Sequence, residues 1–177
     1  MNRHLRNLIL SALFLAIGLM LPFLTGQIPE IGNMLLPMHL PVLLCGLVCG
    51  WKYGGAVGLT VPLLRSLIFG MPYFYPNALA MAFELCAYGL LAGLIYGRFP
   101  RKNLGTVYAS LLPAMLGGRL VWGLAQTVLL GFSGKAFPLA AFWTGGFATA
   151  LPGIVLQLIL IPPLTVLLQK ITEQPGK

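Results

Sequence analysis

Three ionisable side chains stand inside stretches that are otherwise almost entirely apolar. Arg65 follows the run VGLTVPLL, Glu84 separates LAMAF from LCAYGLLAGLIYG, and Arg119 lies between AMLGG and LVWGLAQ. A charge at the centre of a lipid-embedded helix costs roughly 2.5 to 3.5 kcal/mol on insertion scales, so such a residue faces a partner or a polar cavity. We therefore expect all three side chains to point inward.

The two arginines could bind an anionic ligand. If the segment around Arg119 is a helix, two further side chains lie on the same face as Arg119. Trp122 and Gln126 continue the face of Arg119 at i+3 and i+7. Two interpretations stay open. Glu84 pairs with one arginine as structural support while the other snorkels to an interface, or the surplus arginine binds a carboxylate or another anionic group of a ligand.

Three further side chains are candidates for the same site. His39 stands between Pro37 and Pro41, and a lone histidine is more often a packing or interfacial residue than a ligand-binding one. Tyr75 and Asn77 end the segment GMPYFYPN, which predicts a turn rich in aromatic rings. We include His39, Tyr75 and Asn77 among the predicted substrate-binding residues.

Motifs that would indicate catalysis are absent from the sequence. The pair Gly134 and Lys135 lacks the other residues of a phosphate-binding loop, and there is no HExxH or GxSxG. Cys45, Cys49 and Cys86 lie in apolar runs without a histidine cluster, as expected for small packing residues. We expect no metal, no cofactor and no enzymatic activity.

The composition places the whole chain in a membrane. Of its 177 residues 58% are hydrophobic and 8% charged, with a mean hydropathy of +0.90, whereas soluble domains carry roughly 25% charged residues. The apolar excess extends over the full length, so it is not a removable signal peptide. The formal net charge of +8 comes from dispersed residues, which argues against nucleic-acid binding.

Apolar runs long enough to span a bilayer, or nearly so, recur six times along the chain. They predict an all-α membrane protein, a bundle of six transmembrane helices forming a single integral membrane domain over residues 1–177. The predicted helices cover residues 7–24, 39–50, 54–69, 77–96, 104–130 and 145–169.

The basic residues predict the orientation of this bundle. If both termini and the even-numbered connections face one side, eight basic residues share that side and Lys135 alone lies on the other. Because lysine and arginine are retained in cytoplasmic loops, both termini are predicted to be cytoplasmic. The eight residues are Arg3, Arg6, Lys52, Arg98, Arg101, Lys102, Lys170 and Lys177.

The outer connections are longer than the inner ones and contain aromatic and polar residues. They cover residues 25–38 with Gln27, Glu30 and Asn33, residues 70–77, and residues 131–144 with Lys135, Phe137 and Trp143. Two interpretations stay open for them. The rings are interfacial anchors, or the connections form a lid over a binding pocket.

Three segments together resemble a known family. Ala12-Leu-Phe-Leu-Ala16 puts two small residues on one helix face, which permits close helix approach in lipid. With MHLPVLLCGLVCGWKYGGAVG at residues 38–58 and AMAFELCAYGLLAGLIYG at residues 80–97, the chain resembles the substrate-binding S components of energy-coupling factor (ECF) transporters. The resemblance covers essentially the whole chain and favours the branch that includes pantothenate binders.

The resemblance implies a receptor for a vitamin or cofactor precursor in the bacterial plasma membrane. Such a receptor docks on a transmembrane coupling subunit and two ATPases, here through Ala12 and Ala16. Its ligand would sit in the outer half, closed by the first and third outer connections. Pantothenate, a queuosine precursor, a pyridoxine-type vitamin and other B vitamins all remain open.

Two other classes of function stay in consideration. A self-sufficient proton-coupled transporter would use Glu84 as its proton carrier, and vesicles containing this chain alone would accumulate solute. A membrane enzyme is the third class.

Overall fold

The computed structural model describes residues 2–25 and 28–173, and the chain is helical over these residues, with no strand among them. The all-α prediction is confirmed. The helices are α1 (Arg3–Met20), α2 (Pro29–Leu35), α3 (His39–Cys49), α4 (Trp51–Phe69), α5 (Leu79–Arg98), α6 (Leu104–Phe132), α7 (Leu139–Trp143) and α8 (Leu151–Glu173). Short helical turns occupy Leu21–Thr25, Phe74–Ala78 and Thr144–Ala148.

Five segments of the described chain are long and apolar enough to cross a membrane. They are Arg3–Leu24, Glu30–Cys49, Phe74–Arg98, Leu104–Phe132 and Leu151–Ile171. Leu139–Ala148 is a shorter apolar helical segment. The 19-residue helix α4 is not one of the five, because Lys52 and Arg65 lower its hydropathy.

The first predicted outer connection contains a helix that the sequence analysis missed. Helix α2 lies within residues 25–38, and it starts with Pro29 in its first turn and Glu30 close behind. Both residue types suit a helix N-terminus, since proline needs no hydrogen-bond acceptor there and a carboxylate interacts favourably with the helix dipole. Leu36, the residue that follows the end of α2, has a left-handed backbone conformation with φ 51°.

The boundaries of the first and the last predicted helix were also wrong by several residues. The first helix was predicted over 7–24, but α1 begins at Arg3 and ends at Met20. Pro22 follows the end of α1, and it lacks the N–H that would continue the helical hydrogen bonds. The last helix begins at Leu151 instead of residue 145, because the preceding segment forms a separate helical turn.

Side-chain hydrogen bonds hold the helix ends together at the end of the bundle that carries most basic residues. Asn7 of α1 donates to the Cys49 carbonyl at 3.1 Å, and the Tyr96 hydroxyl of α5 donates to Gln169 of α8 at 2.8 Å. We call this the basic end. The opposite end, where α2, α7 and the three short helical turns lie, is called the loop end.

Glycines bring α3, α4 and α5 into backbone contact. A methyl group at Gly54 of α4 would lie 2.5 Å from the Cα of Gly46 on α3. One at Gly89 of α5 would lie 2.2 Å from the carbonyl carbon of Gly54. No real side chain fits at such distances, so glycine is required at each position. The three helices form a tightly packed slab that positions residues of α3, α4 and α5 at the loop end.

Candidate functional site

A cavity of about 380 Å³ opens within the bundle at the loop end. Its volume falls in the range of small-molecule sites, roughly 300 to 1,000 Å³. Its wall combines apolar residues such as Leu36, Met38 and Met81 with a set of polar and aromatic ones. That set comprises Asn33, His39, Arg65, Tyr73, Asn77, Glu84, Arg119, Trp122, Gln126 and Thr149.

Glu84, Arg119 and His39 form a buried polar cluster in the wall of this cavity. Nη1 of Arg119 lies 2.8 Å from Oε1 of Glu84, and Nε2 of His39 lies 3.4 Å from the same oxygen. The three side chains come from α6, α5 and α3, and each is almost completely buried. The contact between Arg119 and Glu84 is short, but its angles do not fit a hydrogen bond. The two side chains are therefore held together by the attraction between their charges.

Polar atoms of this cluster have no hydrogen-bond partner within the described residues. They include Nε and Nη2 of Arg119 and both ring nitrogens of His39. A buried donor or acceptor without a partner is costly. Beside the cavity that these residues line, the cluster therefore has unused donors, and Oε1 of Glu84 is an unused acceptor.

Tyr88 supports the cluster from the side of the core. Its ring meets the imidazole of His39 edge-on, with centroids 5.2 Å apart and planes at 65°. The Tyr88 ring also packs on Gly118, where a methyl group would lie 2.7 Å from it. Since Gly118 directly precedes Arg119, this contact helps to fix the backbone that presents the guanidinium.

Arg65 contributes a second guanidinium to the cavity from α4. Its Nη1 donates to the backbone carbonyl of Leu19 at 2.6 Å. The group lies 4.9 Å from the ring centre of Phe23 and 5.3 Å from that of Phe69, within the range of cation–π attraction. The residue is 2% exposed, and no carboxylate of the described residues lies within ion-pair distance of it.

Two amide side chains connect the helical turn before α5 with α6 beside the cavity. Nε2 of Gln126 donates to Oδ1 of Asn77 over 3.5 Å, a long hydrogen bond. Gln126 is buried and Asn77 is exposed. Their remaining amide groups can donate to and accept from a neutral polar part of a ligand.

Trp122 joins the cavity to the third outer connection. Its ring meets Phe137 edge-on at 5.6 Å and stacks with Phe142 at 6.3 Å. Phe142 in turn contacts Trp143 and Phe147. We call these five residues the aromatic cluster, and Trp122 is its member that lines the cavity.

Tyr75 does not line the cavity. Its hydroxyl donates to the Leu129 carbonyl and accepts from Ser133 at 3.1 Å, so it fastens the segment before α5 to the end of α6. Tyr73, two residues earlier, lies in the cavity wall instead. The other seven predicted substrate-binding residues all line it.

The cavity wall also contains residues that were not among the predicted site residues, including Asn33, Tyr73, Met81 and Thr149. Tyr73 belongs to the same aromatic segment as Tyr75, and only the backbone decides which of the two faces inward. Asn33 lies in the first outer connection, and its sequence position alone does not predict that it reaches the site. Gln27, noted with it, lies outside the described residues, as does the predicted cytoplasmic Lys177.

The family described as "ECF transporter, substrate-specific component" matches residues 6–165 of the chain. The chain belongs to this family. No curated protein and no solved structure matches it. The resemblance seen in the sequence is confirmed at the level of the family.

Family membership makes the protein an S component, a membrane-embedded subunit that binds a small-molecule substrate and works with an ECF module. This is a family of transporter subunits and not of enzymes. Within residues 2–25 and 28–173 of this S component, no three His, Cys, Asp or Glu side chains group as metal ligands.

The small residues of the first helix lie on the surface of the S component. Ala12 and Ala16 are exposed, and the opposite face of α1 buries Ser11, Phe14 and Gly18. Helix α1 packs mainly against α3 and α4. The Ala12 face is therefore available to another helix.

Proposed function

We propose that the chain is the substrate-specificity subunit of an ATP-driven ECF importer for a small vitamin or cofactor precursor. The observation that carries this proposal is a 380 Å³ cavity containing the buried Glu84–Arg119–His39 cluster in a member of the S-component family. Such a cavity suits tight binding of one small polar molecule, because its charged groups are already positioned.

The proposed binding residues are those that line the cavity and were predicted from the sequence. They are His39, Arg65, Asn77, Glu84, Arg119, Trp122 and Gln126. Tyr75 acts with them by holding the segment before α5 in place through its bonds to Leu129 and Ser133. The aromatic cluster acts as part of the lid.

The proposed topology has six membrane-spanning helices: the five long apolar segments and, in addition, α4. Residues 1–177 then form one integral membrane domain in the bacterial plasma membrane, with the basic end and both termini in the cytoplasm. The positive-inside rule supports this orientation. In this orientation the loop end, with the cavity, faces the extracellular side. The hydropathy of α4 does not oppose it, because Arg65 faces the cavity and not lipid.

The proposed partners are a transmembrane coupling subunit and two ATPases, shared or dedicated. The exposed Ala12 and Ala16 would form the docking face on α1. The pantothenate-type branch or a close relative is the proposed position within the family.

Transport by reconstituted vesicles tests the proposal. The substrate is first identified by mass spectrometry of small molecules extracted from the purified protein. Vesicles containing the whole complex should then accumulate this substrate when supplied with ATP. Vesicles containing the chain alone should bind it and accumulate none.

Accumulation by the chain alone under a proton gradient would instead establish the proton-coupled alternative with Glu84 as carrier. The contact with Arg119 at 2.8 Å already gives Glu84 a charge partner in the wall of the cavity, so its place in an apolar helix does not require a proton-carrying role.

A further inference from the structure

The charges in the cavity wall do not balance. Among the described lining residues there are two guanidinium groups, Arg65 and Arg119, and one carboxylate, Glu84. His39 is neutral unless it is protonated, so the cavity carries at least one surplus positive charge. Ligands that balance such a surplus are favoured over ligands that add to it.

The surplus is located at Arg65. Arg119 and Glu84 lie 2.8 Å apart and neutralise each other. The groups around Arg65 are a carbonyl oxygen of Leu19 and the rings of Phe23 and Phe69. These carry partial negative charge only, and they orient the guanidinium without cancelling its charge.

From these observations we infer that the ligand is a small organic monoanion whose carboxylate, or an equivalent acidic group, pairs with Arg65 while Arg119 stays paired with Glu84. The inference rests on the proposed function and adds the charge class of the substrate. A guanidinium suits this role because its planar fork of N–H donors matches a carboxylate. Within the part of the chain that the structure describes, Nη1 of Arg65 donates to Leu19 and its Nε and Nη2 make no hydrogen bond.

The same charges disfavour the other charge classes. A cationic ligand would share the cavity with two arginines, and Glu84, the carboxylate among the described lining residues, is already paired. A phosphate monoester carries up to two negative charges, and the described wall offers one unpaired cation for it. Lys135, the basic residue of the third outer connection, does not line the cavity.

The remaining wall suits a neutral body attached to the acidic group. Asn77 and Gln126 present amides, and Trp122 presents a flat ring. These groups can bind hydroxyl, amide or ring portions of a ligand without a further charge.

Thermal unfolding of the purified full-length chain in detergent, followed by tryptophan fluorescence, tests the charge class. The probes are nicotinate, pantothenate and biotin, each beside its neutral counterpart: nicotinamide, panthenol and biotin amide. Thiamine serves as the cation and pyridoxal 5′-phosphate as the phosphate ester. At least one carboxylate should raise the unfolding temperature clearly more than its neutral counterpart and more than either of the last two probes.

Titration calorimetry with the most stabilising carboxylate then tests Arg65. The variant Arg65→Gln should weaken binding by at least about 30-fold, which corresponds to losing the partner of a desolvated charge. Arg65→Lys keeps the charge but loses the fork, so it should still prefer the acid over the neutral counterpart. Arg98→Gln, at an exposed position at the end of α5, is the control and should bind as the wild type does.

Each contrary outcome has its own meaning. If the neutral, cationic or phosphate probe binds as tightly as the best carboxylate, or if folded Arg65→Gln retains wild-type affinity, the monoanion inference is overturned and the proposed function survives. If Arg65→Gln does not fold, the probe series on the wild type and Arg65→Lys decide. If no probe binds and no small molecule is extracted, the binding function itself fails.

Discussion

Arg119 and Glu84 face each other across the α5–α6 contact, with 2.8 Å between Nη1 and Oε1. The sequence allowed Glu84 to pair with either arginine, and the structure pairs it with Arg119. Arg65 does not snorkel to an interface, since it is 2% exposed and bonded to Leu19. The two arginines therefore have different roles, one in a buried ion pair and one as an unpaired cation.

The ion pair predicts an asymmetric double-mutant cycle. Replacing Glu84 alone with glutamine leaves the Arg119 cation buried without a partner, and breaking a buried pair in this way costs about 3 to 5 kcal/mol. The double variant Glu84→Gln/Arg119→Gln removes both charges and should be more stable than Glu84→Gln. Thermal unfolding of the four proteins in the same detergent measures this cycle.

Ligand binding provides the second readout of the same variants. Glu84→Gln should bind a carboxylate ligand as well as the wild type or better, because the cavity gains net positive charge. A ligand that donates hydrogen bonds to Glu84 would no longer bind to this variant.

The stability measurements can also contradict the ion pair. They would do so if the effects of Glu84→Gln and Arg119→Gln on the unfolding free energy were additive.

The proposed orientation predicts the accessibility of single cysteines in intact cells. In a background without Cys45, Cys49 and Cys86, a cysteine at Gly134 should react with an impermeant thiol reagent. Cysteines at Asn2 or Lys102 should react only after the cells are permeabilised. Labelling at Lys102 from outside would invert the topology.

The exposed alanines of α1 predict a separation of binding from transport. Ala12→Trp or Ala16→Trp should abolish uptake by the assembled importer, since a bulky ring prevents close helix approach. Ligand affinity of the isolated chain should stay nearly unchanged. Leu112→Trp, at an exposed position on α6, is the matched control and should transport normally. Parallel loss of affinity and uptake in the alanine variants would show that this face packs within the fold.

The glycine slab predicts opposite effects for two glycines of α5. Gly89→Ala puts a methyl group 2.2 Å from the Gly54 backbone, and overpacking of this kind costs about 1 to 3 kcal/mol or more. Gly97→Ala meets nothing within 4 Å, so it should be neutral or stabilise the helix by about 0.5 to 1 kcal/mol. Unfolding temperatures of the two purified variants test this, and equal effects would argue against the close packing of α4 and α5.

Side-chain chemistry made part of the site predictable from the sequence. Arg65, Glu84 and Arg119 are conspicuous because charge is costly in apolar helices, and helical periodicity linked Trp122 and Gln126 to Arg119. All five line the cavity. His39 and Asn77 also lie there, at or near the start of α3 and α5.

Other features could not be read from the sequence, because they depend on the path of irregular backbone. Tyr73 and Tyr75 have the same chemistry two residues apart, and the fold turns only the first toward the cavity. The pairing of Glu84 with Arg119 depends on the relative rotation of α5 and α6. Helix α2 has seven residues, too few for hydrophobic periodicity to indicate a helix.

The hydrogen bond from Arg65 to Leu19 connects the cavity with the first helix. Leu19 lies three residues beyond Ala16 on α1, about one turn along the helix. An acidic group that pairs with Arg65 would thus bind a side chain that is itself bonded to the turn of α1 adjoining the proposed docking face. Thermodynamic linkage makes any such cooperativity reciprocal: the factor by which the ligand changes affinity for the coupling subunit equals the factor by which the coupling subunit changes affinity for the ligand.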